Sequence, residues 1–218
     1  MSASATPSYV FRYFNTPGFG ETTRLLLTIA NVDWVEENPE WPQEKPNQPF
    51  GRLPVLVEKS NDGSSDFVLS ESGTIERYIA RKYNIIPSNP KEASRQEQLR
   101  DQMVDIIIAV SGASKGDEGA KAKFNELSAK MKEVMAKSLK DNGNNGHFTG
   151  DKLTYIDIFV YSNFKSILNF SKQLAPEFAD TFNGMITPEV EKLISTVNAE
   201  PRLQARLAED KQYFPFLA

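Results

Sequence analysis

A proline at the head of an apolar strand pattern constrains the fold more than any other feature of this 218-residue chain. Residues 50–56 read Phe-Gly-Arg-Leu-Pro-Val-Leu. Because proline has no N–H for a sheet ladder, Pro54 predicts an edge strand or a tight turn, and the Leu53–Pro54 bond is a candidate for the cis form. In either case the backbone N–H and C=O of Leu53 are left free for a ligand.

A helix start follows the next apolar run. Glu71 and Ser72 stand where a strand pattern ends and a helical pattern begins. The unpaired N–H groups at a helix start attract a carboxylate. Backbone donors at Leu53 and an anion site at Ser72 together predict a cleft for a small, charged peptide.

The composition excludes several kinds of chemistry. The chain has no cysteine and a single histidine, His147. Disulfides, a cysteine nucleophile and thiolate metal sites are therefore excluded, and a histidine base, a metal site or a bound cofactor is not expected. Any thiol chemistry must arrive with a ligand. A net charge of -4 without a cluster of Lys and Arg argues against nucleic acid or an anionic membrane as partner.

The hydropathy pattern predicts a cytoplasmic protein. Residues 1–8 are small and polar, no run of eighteen apolar residues occurs, and the mean hydropathy is -0.45. We therefore expect neither a signal peptide nor a membrane span.

The first third of the chain alternates strand and helix patterns. Strands are predicted at 8–14, 32–35, 55–58 and 66–69, and helices at 21–30 and 74–83. Asn61-Asp62-Gly63 predicts a hairpin turn between the last two strands. Glu21 and Arg24 lie three residues apart and are expected to pair on the surface of the first helix. This order predicts a small mixed sheet with helices packed on it.

A proline-rich linker at 87–91 separates this region from a helical remainder. We predict an α/β domain over 1–87 and an all-helical domain over 88–218. Helical patterns cover 92–111 and 120–139, and a further helix opens with Thr154-Tyr155-Ile156-Asp157. This is a capping box in which Asp157 reaches back to the Thr154 amide.

The order and spacing of these motifs resemble the cytosolic glutathione transferases, nearest to the sigma-like, tyrosine-type class. The resemblance spans nearly the whole chain and rests on segments that include 13–15, Trp41, Lys45, 49–54, 71–79 and 154–157. It implies a thioredoxin-like N-terminal domain and an all-α C-terminal domain that contributes a hydrophobic substrate pocket. It further implies a cytoplasmic homodimer that uses glutathione as co-substrate and conjugates it to hydrophobic electrophiles in detoxification.

The resemblance assigns the catalytic role to Tyr13. In similar enzymes the phenol at the end of the first strand donates a hydrogen bond to the sulfur of glutathione and stabilises its thiolate. The alternative from the pattern alone is that Tyr13 is a packed strand aromatic.

The resemblance also implies how glutathione is held. Trp41 and Lys45 would hold the glycyl carboxylate, although a solvated lysine beside a loop tryptophan is the alternative. Leu53 would bind the cysteinyl backbone by strand addition, and Ser72 would take the γ-glutamyl carboxylate or act as a helix N-cap. The implied glutathione-binding set is Trp41, Lys45, Gly51, Arg52, Leu53, Pro54, Glu71 and Ser72.

Two departures from the family pattern concern charge. The closest classes usually carry glutamine where this chain has Glu71, and an aspartate from the partner subunit where it has Ala109. We hypothesise that Glu71 supplies the missing carboxylate, with Asp101 and Asp105 as alternatives.

Phe19 and Pro17 replace arginines near the catalytic hydroxyl, which weakens the local field that favours a thiolate. Arg12, Arg24 or a nearby backbone N–H are the candidates to compensate for that loss.

The electrophile pocket is assigned to aromatic and aliphatic side chains that are often core residues in helices. The candidates are Phe14, Ile108, Phe159 and Phe214, with Phe164 and Phe216 as further possibilities. Two other functions fit the same motifs: a glutathione-dependent isomerase of the prostaglandin D synthase kind, and a noncatalytic carrier of hydrophobic ligands.

Overall fold

A computed structural model describes residues 8–60, 63–174 and 176–213. For residues 169–174, 176 and 210–213 only the backbone is described. The Asn61-Asp62 part of the predicted hairpin turn lies outside these residues.

Four strands form a mixed sheet in the order β2-β1-β3-β4. The strands are β1 (Tyr9–Arg12), β2 (Trp34–Glu37), β3 (Val55–Glu58) and β4 (Phe67–Ser70). β1 runs parallel to β2 and antiparallel to β3, and β3 runs antiparallel to β4. The predicted mixed sheet is confirmed, but the second strand begins two residues later than expected.

Pro54 lies just before an interior strand, so the prediction of an edge strand is wrong. β3 pairs on both sides, with β1 and β4. The Leu53–Pro54 bond is cis, as is Trp41–Pro42. Because the ladder begins at Val55, the missing N–H of Pro54 costs the sheet no hydrogen bond.

Two α-helices and three short 3-10 turns accompany the sheet. The helices are α1 (Glu21–Ile29) and α2 (Ser72–Lys82), and the turns cover Gly18–Gly20, Lys45–Asn47 and Pro49–Gly51. The apolar side chains of both helices are buried, as are those of the central strands. This burial explains why short elements of weak individual stability are held together.

The remaining elements are helical, as predicted. They are α3 (Pro90–Ala113), α4 (Glu118–Asp141), α5 (Tyr155–Leu174), α6 (Pro176–Met185), α7 (Pro188–Asn198) and α8 (Gln204–Tyr213). In α4 the apolar side chains of Phe124, Met131, Met135 and Leu139 are buried. The capping box is confirmed, because Asp157 Oδ2 accepts from the Thr154 N–H at 2.7 Å.

The backbone divides into two compact units. The first contains the described residues of Met1–Tyr83 and of Arg202–Ala218, and the second is Asn84–Pro201. Helix α8 therefore groups with the sheet. Just before this helix, Arg202 Nη1 donates to the carbonyl of Ile29 in α1 at 3.1 Å. Within the described ranges, no helix has the length and apolar character needed to cross a membrane.

Candidate active site

The strand register brings the candidate residues to one end of the sheet. Arg12 is paired with Val55, and Val55 with Ser70. Tyr13, which follows Arg12, therefore lies at the same sheet end as Pro54, which precedes Val55, and Glu71, which follows Ser70. Tyr13 and Glu71, 58 positions apart in sequence, lie at the same sheet end because antiparallel neighbours reverse direction.

Tyr13 is enclosed at this end of the sheet, with 6% of its surface exposed. Its N–H donates to the Glu37 carbonyl at 3.1 Å, which ties the end of β1 to the end of β2. Its ring packs against Phe11 at 6.2 Å and Phe14 at 5.5 Å between centroids. The phenol oxygen accepts a hydrogen bond from the Phe19 N–H at 3.0 Å.

Two glycines make room for the Tyr13 ring. A Cβ on Gly18 would lie 2.6 Å from the phenol oxygen, and one on Gly20 would lie 2.4 Å from ring atom Cδ1. Any side chain at either position would displace the ring. Sequence analysis did not assign these glycines a role; the signal was their Gly-x-Gly spacing within seven residues of Tyr13.

The pKa of the Tyr13 phenol lies above its ordinary value of 10.0. Burial is the largest cause, and it is opposed by the Phe19 N–H and the positive charge of Arg24. The guanidinium carbon of Arg24 lies 5.5 Å from the ring centroid. Tyr13 therefore keeps its proton at neutral pH.

The structure distinguishes the three groups considered as replacements for the missing arginines. The Phe19 backbone N–H and Arg24 both approach Tyr13. Arg12 instead pairs with Glu37 at 2.7 Å on the surface. The expected Glu21–Arg24 pair forms at 3.1 Å, but it is buried rather than on the surface, with side-chain exposures of 4% and 2%.

Aromatic contacts connect Tyr13 to the proline-rich loop. The Phe14 ring stands edge-on to Trp41, with centroids 5.4 Å apart. Lys45 is exposed at the start of a 3-10 turn. A Cβ on Gly51 would lie 3.6 Å from Lys45 Cε, so the lysine stem runs beside Gly51, whose φ of +59° favours glycine.

Leu53 supports the predicted strand addition. Its side chain packs against the buried cluster of Val10, Val55 and Val57. Its backbone N–H and C=O have no hydrogen-bond partner in the described parts of the chain. Arg52 is exposed in the same approach.

The alternative in which Ser72 is the N-cap of the helix is wrong by one residue. Helix α2 begins at Ser72, so Glu71 occupies the N-cap position and Ser72 is the first helical residue. Glu71 has φ 71° and ψ 118°, which is unfavourable for a residue with a Cβ, and its side chain is exposed. Such strain is concentrated at functional sites.

The predicted pocket residues differ in exposure. Ile108 is 63% exposed on α3 and Phe14 is half-buried, whereas Phe159 is 2% exposed beneath the Arg100 guanidinium. Phe164 is also buried at 1%. Phe214 and Phe216 lie outside the described residues. The pocket stays a prediction. Among the described residues, no group of three or more metal-ligating side chains occurs.

Comparison with known families agrees with the fold. Residues 9–81 match the glutathione S-transferase N-terminal domain, and residues 97–210 match the glutathione S-transferase C-terminal domain. The chain belongs to the glutathione S-transferase family. The predicted fold, a thioredoxin-like domain followed by a helical domain, is confirmed.

Individual relatives are similar over most of the chain. Probable glutathione S-transferase 7 of Caenorhabditis elegans is 31% identical over 91% of this chain and 96% of its own length. Hematopoietic prostaglandin D synthase of Gallus gallus is 26% identical over 79% and 85%. A solved structure of a monomeric glutathione S-transferase from the hookworm Necator americanus superposes with a TM-score of 0.70 at 26% identity, covering 92% of this chain and 96% of that one.

Proposed function

We propose that this chain binds glutathione, stabilises its thiolate through Tyr13 and joins the sulfur to hydrophobic electrophiles. The observation that carries the proposal is the hydrogen bond from the Phe19 N–H to the Tyr13 phenol oxygen. Because that oxygen already accepts from the backbone, the hydroxyl hydrogen points elsewhere and is available to a sulfur at this end of the sheet. Its high pKa keeps the hydrogen in place at neutral pH.

The energy required is within reach of one enclosed donor. A thiol of pKa about 8.5 is only about 3% ionised at pH 7, and a pKa two units lower raises that fraction to roughly 75%. The change corresponds to about 2.7 kcal/mol of preferential stabilisation of the thiolate. A donor fixed in a site that excludes water contributes about this amount, since it needs no reorganisation when charge develops.

The remaining residues would bind the peptide part of glutathione. The backbone of Leu53 would pair with the cysteinyl residue, and the start of α2 at Ser72 would receive the γ-glutamyl carboxylate. Trp41 and Lys45 would hold the glycyl carboxylate with an indole N–H and an ammonium group. Gly51, Arg52 and Pro54 form the approach, and Glu71 would face the ligand's ammonium group.

The chemistry needs no group beyond the two substrates. The thiolate sulfur forms a bond to an electrophilic carbon. In a substitution the bond from that carbon to its leaving group breaks and the group departs with the electron pair, whereas in conjugate addition the resulting carbanion takes a proton from water. Conjugation makes the electrophile more polar, which suits a role in detoxification.

Turnover of a chlorinated nitrobenzene with glutathione tests this function. Wild type should form the conjugate, Tyr13→Phe should lose most of the rate, and the matched variant Tyr161→Phe should keep it. Tyr161 is a suitable control because its hydroxyl donates to Asn198 Oδ1 within the helical unit. A wild type that binds glutathione but turns over no electrophile would support the carrier function instead.

A glutathione-dependent isomerase is the second candidate, favoured by the similarity to a prostaglandin D synthase. The same thiolate would attack one oxygen of a lipid endoperoxide, so that the O–O bond breaks and the other oxygen leaves as an alkoxide that takes a proton. Loss of a proton from the carbon that carries the sulfur-bound oxygen would then form a carbonyl group, break the S–O bond and release the thiolate. Incubation with an endoperoxide separates the two activities, because an isomerase regenerates glutathione and a transferase consumes it.

We further propose a sigma-like, cytoplasmic homodimer. The tyrosine at the end of β1 supports the class, and Phe50 supports self-association. The Phe50 ring is 77% exposed on a residue with φ 55°, and an apolar ring held in this way fits burial against a second copy. Light scattering should give a dimer that Phe50→Ala weakens, and cell fractionation tests the location.

A further inference from the structure

One arginine in the first helix binds the loop that carries the Phe19 N–H. Arg24 is 1% exposed, although it stands beside the leucines of α1. Its Nη1 donates to the Thr16 carbonyl at 2.9 Å and, at 3.4 Å, to that of Pro17, and its Nη2 donates to the Phe14 carbonyl at 3.0 Å. Three loop carbonyls are therefore held by a single planar group.

This loop sets the position of the donor to Tyr13. The Pro17 carbonyl that Arg24 contacts also accepts from the Gly20 and Glu21 N–H groups, each at 2.9 Å. Phe19 lies between these points, so its N–H direction depends on the held loop. The phenol oxygen of Tyr13 receives that N–H at 3.0 Å.

Arg24 is also the centre of an ion network that is buried at Glu21, Arg24 and Arg206 and partly exposed at Glu36. Its Nε donates to both Glu36 oxygens, at 2.9 and 3.1 Å, and its Nη2 also bonds Glu36. Its Nη1 donates to Glu21 Oε2 at 3.1 Å. The same Glu21 oxygen accepts from Arg206 Nη2 at 3.3 Å. Arg206 is 8% exposed and belongs to α8, more than 180 residues further along the chain.

The network is electrically neutral. Two arginines, Arg24 and Arg206, face two carboxylates, Glu21 and Glu36. Among the described side chains of α8, Glu209 also lies near this network, 3.8 Å from Arg206, but it is 62% exposed and solvent screens its charge. The Arg12–Glu37 pair lies on the surface nearby and is itself balanced.

We propose that Arg24 is a positioning residue for Tyr13 and that helix α8 tunes the same hydroxyl through the Arg206–Glu21 pair. The inference rests on the proposed function in that the tuned hydroxyl is taken to stabilise a thiolate. Without Arg206 the buried network carries one excess negative charge beside the site, which disfavours both a thiolate and a phenolate. Without the fork of Arg24, the loop no longer directs the Phe19 N–H at the phenol.

The first test is the pH profile of kcat/KM for the electrophile at saturating glutathione. Arg24→Lys keeps the charge but cannot hold three carbonyls and two carboxylates together. In this variant the ascending limb of the pH profile should move to higher pH by about one unit. The rate should therefore fall about tenfold at pH values below the thiol pKa and return to the wild-type value at high pH. A loss of equal size at every pH, or an unchanged profile, would overturn the proposal.

Charge balance gives a second set of variants that does not disturb the loop. Arg206→Gln should move the ascending limb to higher pH by about half a unit. The shift is smaller than for Arg24→Lys because Arg206 acts on the site through Glu21. Adding Glu21→Gln to it restores neutrality and should return the limb to the wild-type position. A double variant that is no better than Arg206→Gln would contradict the charge argument. Arg12→Gln is the matched control and should leave the profile unchanged.

A readout without glutathione keeps the inference separate from the proposed function. The pKa of the Tyr13 phenol is measured in the free protein by NMR of ring-labelled tyrosine, with Tyr13→Phe to assign the signal. Arg24→Lys and Arg206→Gln should each raise this pKa, and the double variant should restore it. If wild type turns over nothing and these shifts appear, only the proposed function fails. If turnover is present and the shifts are absent, only the inference fails.

Discussion

The two ends of the candidate site differ in how far they are preorganised for a ligand. At the sulfur end, made of Tyr13, Gly18–Gly20 and Arg24, the side chains of Tyr13 and Arg24 are buried and are fixed by hydrogen bonds and an ion network. At the peptide end, made of Lys45, Arg52, Leu53, Glu71 and Ser72, the three charged side chains are exposed. The comparison predicts that changes at the sulfur end act on kcat, whereas changes at the peptide end act on the KM for glutathione.

The largest effect is expected from Tyr13→Phe. Loss of one fixed donor to a developing negative charge lowers kcat by about 10²- to 10³-fold. The KM for glutathione should change little, because the peptide end is intact. Steady-state kinetics with varied glutathione separate the two parameters. A large rise in KM with a normal kcat would mean that Tyr13 binds the peptide part of glutathione. That result would contradict the distinction between the two ends.

The next effect in size is expected from Gly20→Ala. The new Cβ would lie 2.4 Å from the Tyr13 ring, so the ring must move, and a shift of this order lowers kcat by about tenfold to 10²-fold. The matched variant is Gly184→Ala in helix α6, where a Cβ meets nothing within 4 Å. That substitution should leave kcat unchanged and stabilise the helix slightly. Equal kinetics for the two variants would show that Tyr13 needs no fixed position.

Lys45→Met should raise the KM for glutathione about fivefold and leave kcat unchanged. The magnitude is that of an exposed ion pair, at most about 1 kcal/mol. Because salt screens such pairs, the difference from wild type should shrink as ionic strength rises. A difference that persists in high salt would mean that the methylene stem of Lys45, which runs beside Gly51, matters more than its charge.

The smallest effect is expected from Glu71→Gln. If Glu71 supplies the carboxylate for the ligand's ammonium group, this substitution raises the KM for glutathione about threefold. The backbone strain at φ 71° is the same for both side chains, so stability should not change. An unchanged KM would refute the hypothesis and return attention to Asp101 and Asp105.

Much of the fold could be predicted from the sequence because local patterns determine it. The Val55–Glu58 strand, the helices and the Thr154–Asp157 cap depend on residues close in sequence. The grouping of α8 with the sheet could not be predicted, since it depends on Arg206 meeting Glu21 across 185 positions. A single charged residue carries no periodic signal for such a contact.

For a similar reason, the element boundaries at the peptide end could be predicted from the sequence, whereas the donor to Tyr13 at the sulfur end could not. Leu53, Glu71 and Ser72 follow from element boundaries, which turn residues mark in the sequence. The donor to Tyr13 is a backbone N–H, and every residue except proline has one, so the sequence does not reveal Phe19. The Glu21–Arg24 pair was expected from spacing, but spacing does not report burial, and the pair proved to be inside the protein.

The most direct test is the pKa of the thiol of bound glutathione, followed through the ultraviolet absorbance of its thiolate in wild type and Tyr13→Phe. Since the pKa of Tyr13 is raised, the phenol stays protonated across this range and the titration belongs to the thiol. We predict a thiol pKa of about 6.5 in wild type and of about 8.5 in the variant, with glutathione bound in both. The same pKa in both proteins, measured with the site saturated, would contradict the account.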